Sequence, residues 1–171
     1  AIQICKAIGA RIIVTCSGSK VSACLALGAN AAVDYNTTDF VDVVKEETGG
    51  RGVDVVLDVI GGEYVNRNVS ALAIKGHIVQ VGAMGGGTTP FNILALMGKR
   101  GKLSGTTLRA RPVEEKIAIS QRFSAEMLPL FDGGQLKPVI DRRYSFDQIA
   151  EAHTYMESNA SVGKIVIDIS A

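Results

Sequence analysis

"AIQICKAIGARIIVTCSGSK", residues 1–20, decides the fold. Residues 1–8 have the spacing of the back half of a helix, and Gly9 ends it. "RIIVT" (11–15) then runs as a short strand of branched, apolar residues. A helix closed by glycine and followed at once by a buried strand is one unit of an alternating α/β sheet. In a doubly wound sheet that helix follows a first strand and a glycine-rich turn. Neither stands before Ala1 in this sequence, so the sheet is expected to lack its first strand.

Working outward, the same alternation continues. "AAVDY" (31–35), "VDVVLDV" (53–59) and "HIVQVG" (77–82) are short, apolar and rich in branched residues, as parallel strands covered on both faces are. Between them lie amphipathic stretches. Residues 20–27 place Val21, Cys24 and Leu25 on one face, with Ser19 positioned to cap the start and Gly28 to end it. Residues 39–48 align Phe40, Val43 and Val44 and stop at Gly49-Gly50; residues 63–73 align Val65, Val69 and Leu72. This order predicts a right-handed, doubly wound parallel α/β sheet.

After Gly82 the pattern changes. "GAMGGG" reads as a loop, "FNILALMGKR" as a short helix and "GKLSGTTLR" as a less regular strand. Pro112 opens a long helix whose first turn carries Glu114 and Glu115 near the positive end of its dipole. "VIDRRYSF" is an alternating strand. Ser145 and Gln148 form a capping box before a last helix at 146–157, and "GKIVIDI" is a final strand.

Composition excludes several classes. With 47% hydrophobic and 20% charged residues the chain is an ordinary globular one. Eighteen basic against seventeen acidic side chains leave +1, which gives a nucleic-acid partner no electrostatic support. No run of ~18 apolar residues marks a membrane span. Cys5, Cys16 and Cys24 are odd in number and lack C-x-x-C spacing, so free thiols in a reducing cytoplasm are expected rather than disulfides or a structural metal site. His77 and His153 stand alone, suited to a strand edge and a helix surface.

The chemistry-bearing signals sit at strand ends. In a dinucleotide-binding sheet the tip of "RIIVT" meets the adenosine ribose, where an NAD-preferring site places an Asp or Glu. Here the tip reads Cys16-Ser17-Gly18-Ser19-Lys20, without a carboxylate. Two hydroxyls, a glycine and a cation suit a 2′-phosphate, and an ordinary β–α turn accounts for them equally well. Tyr35 could donate to the same phosphate or merely cover the sheet edge. Ile60 and Gly61, after "DV", would let backbone approach a ribose or nicotinamide, with Asp58 holding the turn. Val81 and Gly82 end the next strand. Neither "VGAMGGG" nor "GKRGK" has the spacing of a phosphate loop, and no nucleophile–base pair emerges.

"AIQICKAIGARIIVT", "SGSKVSACLALGANAAVDYN", "VKEETGGRGVDVVLDVIGG", "ALAIKGHIVQVG", "GTTLRARPVEEK" and "SNASVGKIVIDI", in this order, resemble the medium-chain dehydrogenase/reductase superfamily. The closer resemblance is to its zinc-independent NADPH:quinone oxidoreductase branch. It implies an upstream catalytic domain, a Rossmann domain of which residues 1–110 are the greater part, and a 111–171 tail that returns to the catalytic domain. It implies that Ser17, Gly18, Ser19, Lys20 and Tyr35 grip the 2′-phosphate of NADPH. Ile60, Gly61, Val81 and Gly82 would touch the rest of the cofactor, and Asn159 and Lys164 a C-terminal contact region. The implied activity is hydride transfer to a quinone or α,β-unsaturated carbonyl, without a metal. An enoyl-reductase module of a fatty-acid or polyketide synthase, a zinc alcohol dehydrogenase and a non-catalytic NADPH-binding protein are the alternatives. The 101–108 strand resembles the edge through which two such subunits pair into a homodimer. Catalytic side chains would lie upstream. The 171-residue chain alone is expected to be inactive and poorly stable, with backbone groups unpaired where the first strand belongs.

Overall fold

Short apolar runs pair in parallel in the computed structural model, which describes residues 1–169. In order, the chain forms α1 (Ile2–Ala7), β1 (Ile13–Cys16), α2 (Val21–Ala26), β2 (Ala31–Asp34), α3 (Phe40–Glu47), β3 (Val53–Asp58), α4 (Tyr64–Ala71) and β4 (Leu72–Gln80). Then follow α5 (Ile93–Lys99), β5 (Lys102–Gly105), α6 (Val113–Asp132), β6 (Ile140–Ser145), α7 (Ile149–Glu157) and β7 (Lys164–Asp168). This is an α/β fold of parallel strands linked through helices. β1 pairs with β2; β3, β4 and β5 form a sheet in that order; β6 pairs with β7. Strands β3 and β4, β4 and β5, and β6 and β7 all pair in parallel.

Two compact units divide the chain. One comprises Thr15–Gly18 and Val33–Arg122. Its core is Val69 of α4 with Leu72 and Ile78 of β4, each almost wholly buried, against Val56, Phe91, Ala95 and Leu96. Helices α3 and α4 are tied by side chains. Asp39 caps α3 by accepting from Val41 N at 2.9 Å and takes the Arg67 guanidinium at 2.9 Å. That guanidinium also lies 4.5 Å over the ring of Phe40 and 4.9 Å over that of Tyr64, which stack on each other.

The β3–β4 ladder breaks once. Val53 pairs with Leu72, and Val55 next pairs with His77, so residues 73–76 bulge out of register with Lys75 at φ 64°. The strand expected at 77–82 is the half that resumes pairing after this bulge. A Cβ on Gly76 would meet the Leu72 side chain at 2.6 Å, so only glycine fits where the strand re-enters the ladder.

The other unit comprises Ala1–Val14, Ser19–Ala32 and the chain from Phe123 onward. Gln3 of α1 is bonded both ways to Lys137: its Nε2 donates to the Lys137 carbonyl at 2.9 Å, and its Oε1 accepts from Lys137 N at 2.7 Å. The β6–α7–β7 crossover buries Ala152. Tyr155 donates to Asp141 at 2.8 Å while Arg142 covers its ring at 3.8 Å. The Ser145–Gln148 capping box forms, although its first turn is a 3₁₀ helix (Phe146–Gln148) and α7 proper starts at Ile149. The start of α2 differs from expectation. Residues Gly18–Lys20 wind as a 3₁₀ turn, and the cap position falls on Lys20, whose side chain makes no capping hydrogen bond.

Candidate functional site

Register brings three strand ends into one row, because Asp58 of β3 pairs with Gln80 of β4 and Gln80 with Gly105 of β5. Chain leaving the ends of β3 and β4 supplies the surface above them. Asp58, 4% exposed, organises the first loop: Oδ1 accepts from Ile60 N at 2.6 Å and Gly61 N at 3.1 Å, and Oδ2 from Asn68 Nδ2 at 2.7 Å. Asp58 thus has the turn-holding role that its sequence position suited. Three donors on one buried carboxylate fix the direction in which Ile60 and Gly61 face.

The loop after β4 folds back on that turn. Gly85 N donates to Ile60 O at 2.7 Å and Gly62 N to Gly86 O at 3.1 Å. A Cβ on Gly82 would stand 2.8 Å from Val59 O; one on Gly61, at φ 67°, would meet Gly86 O at 3.2 Å. These glycines let two loops close on each other. Gln80 clips the strand ends together, its Nε2 donating to Gly82 O at 2.6 Å and to Asp58 O at 3.3 Å. Its Oε1 is buried without a hydrogen-bond partner. Beside it opens a cleft of about 450 Å³, whose lining includes Gly61, Gly62, Gln80, Thr88, Phe91 and Gly105. A cleft walled by glycines can receive a flat ring against its backbone.

At the tip of β1, Cys16 O accepts from Tyr35 N at 3.2 Å, which carries the pairing with β2 one residue past the strand. Ser17 is half-buried, Gly18 is exposed, and Tyr35 is 42% exposed. The same pairing delivers a carboxylate that the run 16–20 lacks. Asp34, the last residue of β2, holds Asn36 N at 3.0 Å and Asn36 Nδ2 at 2.9 Å on Oδ1. Its Oδ2 lies against Gly18, where a Cβ would stand 2.5 Å away.

In the other unit, Lys20 Nζ donates to Asn159 Oδ1 at 2.8 Å, across 139 residues of sequence. Asn159 is exposed in the left-handed region, φ 55°, which asparagine tolerates. Ser19 is exposed in the 3₁₀ turn, and Lys164, also exposed, opens β7 with its N–H on Val139 O at 2.8 Å. The structure therefore joins Lys20 to Asn159 directly, and groups Ile60 and Gly61 with Val81 and Gly82 at adjacent strand ends.

A family model described as "Zinc-binding dehydrogenase" matches residues 27–167. The chain belongs to this family, in the quinone oxidoreductase branch of the medium-chain dehydrogenase/reductase superfamily. It is 28% identical over 171 residues to human quinone oxidoreductase, covering 98% of this chain and 50% of that protein. It is 29% identical over 161 residues to a Burkholderia 2-haloacrylate reductase, covering 94% and 48%. A solved mycobacterial quinone oxidoreductase superposes with a TM-score of 0.80 at 27% identity, covering 96% of this chain and 50% of that one. The chain thus spans about half the length of the curated relatives it matches.

For a member of a family so described, the metal question is immediate. Among the described residues no group of three or more His, Cys, Asp or Glu side chains could hold a metal ion, so these residues do not fit a zinc site. Cys5 and Cys24 are free thiols, and His77 Nε2 is spent on Ser104 Oγ at 2.7 Å. No helix among the described residues is long and apolar enough to cross a membrane. Two residues of the site escaped the reading of the sequence. Asp34 was legible only as the penultimate letter of "AVDY", and Gln80 as a polar residue inside an apolar strand.

Proposed function

We propose that this chain is most of the cofactor-binding half of an NADPH-dependent oxidoreductase that passes hydride to a quinone or an α,β-unsaturated carbonyl. The observation that carries this reading is the row of strand ends at Asp58, Gln80 and Gly105, opening on a glycine-walled cleft. In open parallel sheets, ligands bind at this edge. When bound, the dinucleotide supplies the hydride from its nicotinamide ring. The chain's own share is placement. Ile60, Gly61, Val81 and Gly82 would face the ribose and ring. Ser17, Gly18, Ser19, Lys20 and Tyr35 would take the 2′-phosphate, with Asn159 holding the Lys20 ammonium and Lys164 nearby in sequence. Exclusion of zinc chemistry and a cytoplasmic location belong to the same reading.

The pairing of two subunits through 101–108 is part of the proposal. β5 is the last strand of its sheet and all four of its residues are exposed, a hazard that pairing with a second copy removes.

The deciding experiment mixes the full-length protein with NADPH and a panel of simple quinones and enones, and follows NADPH oxidation optically. Turnover supports the reading. Tight binding without oxidation across the panel refutes it in favour of a non-catalytic NADPH-binding protein. Turnover confined to carrier-protein thioesters points to an enoyl reductase instead.

A further inference from the structure

The carboxylate that β2 delivers to the β1 tip has no place in the cofactor assignment above. Asp34 is not loosely disposed. Oδ1 is anchored by the backbone and side-chain nitrogens of Asn36, at 3.0 and 2.9 Å, and this fixes the rotation of the whole group. With Oδ1 so held, Oδ2 is directed onto the Cα of Gly18. Residue 18 has no room for a side chain in that direction, since a Cβ would stand 2.5 Å from the oxygen. Gly18 and Asp34 are therefore one device: the glycine is the gap, and the carboxylate fills it.

We propose that Asp34 is a specificity-determining residue that weakens NADPH relative to NADH by placing a fixed negative charge at the β1 tip, against Gly18, where the adenosine ribose is proposed to lie. This inference rests on the proposed binding of a nicotinamide dinucleotide at the strand ends. A 2′-phosphate carries close to two negative charges. At a separation of ~6 Å in water, its repulsion by one carboxylate amounts to about a tenfold change in binding. The free 2′-hydroxyl of NADH feels no such repulsion and could donate to a carboxylate oxygen. Tyr35 and Ser17, neighbours in the chain of Asp34 and Gly18, supply only neutral donors. The charge of Asp34 thus holds selectivity for NADPH below what neutral donors at the β1 tip would give.

The test measures equilibrium binding to the full-length protein, by nucleotide fluorescence or calorimetry, of NADPH and NADH. Adenosine 2′,5′-bisphosphate and 5′-AMP serve as probes of the adenosine end. Asp34→Asn keeps an oxygen for Asn36 and removes the charge. It is expected to tighten NADPH and the bisphosphate by about tenfold while NADH and 5′-AMP change by less than about threefold. Asp34→Glu, which keeps the charge, should leave the NADPH-to-NADH ratio near the parent value. If Asp34→Asn fails to fold, Asp34→Ser makes the same measurement. A ratio unmoved by both neutral variants, or moved towards NADH, overturns the role of Asp34 while leaving dinucleotide binding intact. Failure of the parent protein to bind either dinucleotide overturns the underlying reading, and this inference with it.

Discussion

Arg67 and Asp39 join α4 to the first turn of α3 through a 2.9 Å ion pair, with the guanidinium also packed on the faces of Phe40 and Tyr64. Both charges are partly exposed, 34% and 49%, so the pair by itself contributes no more than about 1 kcal/mol. The two ring contacts add a similar amount. Arg67→Ala is therefore expected to cost about 1–2 kcal/mol, and Arg67→Lys more than half of that, since an ammonium cannot both stack and bridge. Urea unfolding of the three proteins checks this; a loss under a few tenths for Arg67→Ala contradicts it.

Acid sensitivity follows from the same carboxylate. The Val41 N–H, and after it the Arg67 guanidinium, hold the Asp39 carboxyl below its ordinary value of 3.8. A folded-state pKa below the unfolded one stabilises the protein fully above the unfolded value. That contribution is lost as pH falls through the folded value. Asp39→Asn should thus flatten the stability profile below about pH 4 and leave its shape near pH 7 unchanged. Melting curves from pH 3 to pH 7 test it; a change confined to neutral pH goes against this account.

Asp58 is the buried anchor of the strand-end loop, so its removal strands three donors. Asp58→Ala is expected to destabilise by about 3 kcal/mol, near the top of the usual range for a single substitution. Asp58→Asn keeps one acceptor but turns an amide towards Asn68 Nδ2, and should cost about half as much. Denaturant midpoints rank the two; equal stability of Asp58→Ala and parent would show the carboxylate is not holding the turn.

Gly82→Ala presses a Cβ onto Val59 O and must move the loop after β4. On the proposed function it weakens dinucleotide binding about tenfold or more, with a stability loss of about 1–3 kcal/mol from the overpacked contact. Equilibrium binding of NADPH, made below the melting temperature of the variant, separates the two effects. Unchanged affinity would remove this loop from the site.

Lys20→Ala should narrow the preference for NADPH over NADH, and Asn159→Ala should do so more weakly because it only releases the ammonium that Asn159 Oδ1 holds. Competition binding with both dinucleotides reads this directly. An equal loss for both cofactors would assign Lys20 to a different phosphate.

The order of helices and strands was legible in the sequence because it rests on local physics. Branched apolar runs such as "VDVVLD" and glycine stops such as Gly49-Gly50 act within a few residues of themselves. The same locality explains the misses. Ser19 was a sound cap by type, yet the chain spends Gly18–Lys20 on a 3₁₀ turn and the cap is displaced. Of the site, the residues at strand ends were identifiable, since strand ends are where a parallel sheet presents ligands.

By itself, then, the residue sequence determined an alternating parallel α/β chain, its punctuation and its kinship, because periodicity and turn chemistry are properties of neighbours. Only the tertiary structure decided that Asp34 lies against Gly18, that Lys20 reaches Asn159, and that Gln80 bridges Asp58 O and Gly82 O. Each of these depends on strand register or on chain returning from far along the sequence. A shift of one residue in pairing would carry the same side chains to the opposite face.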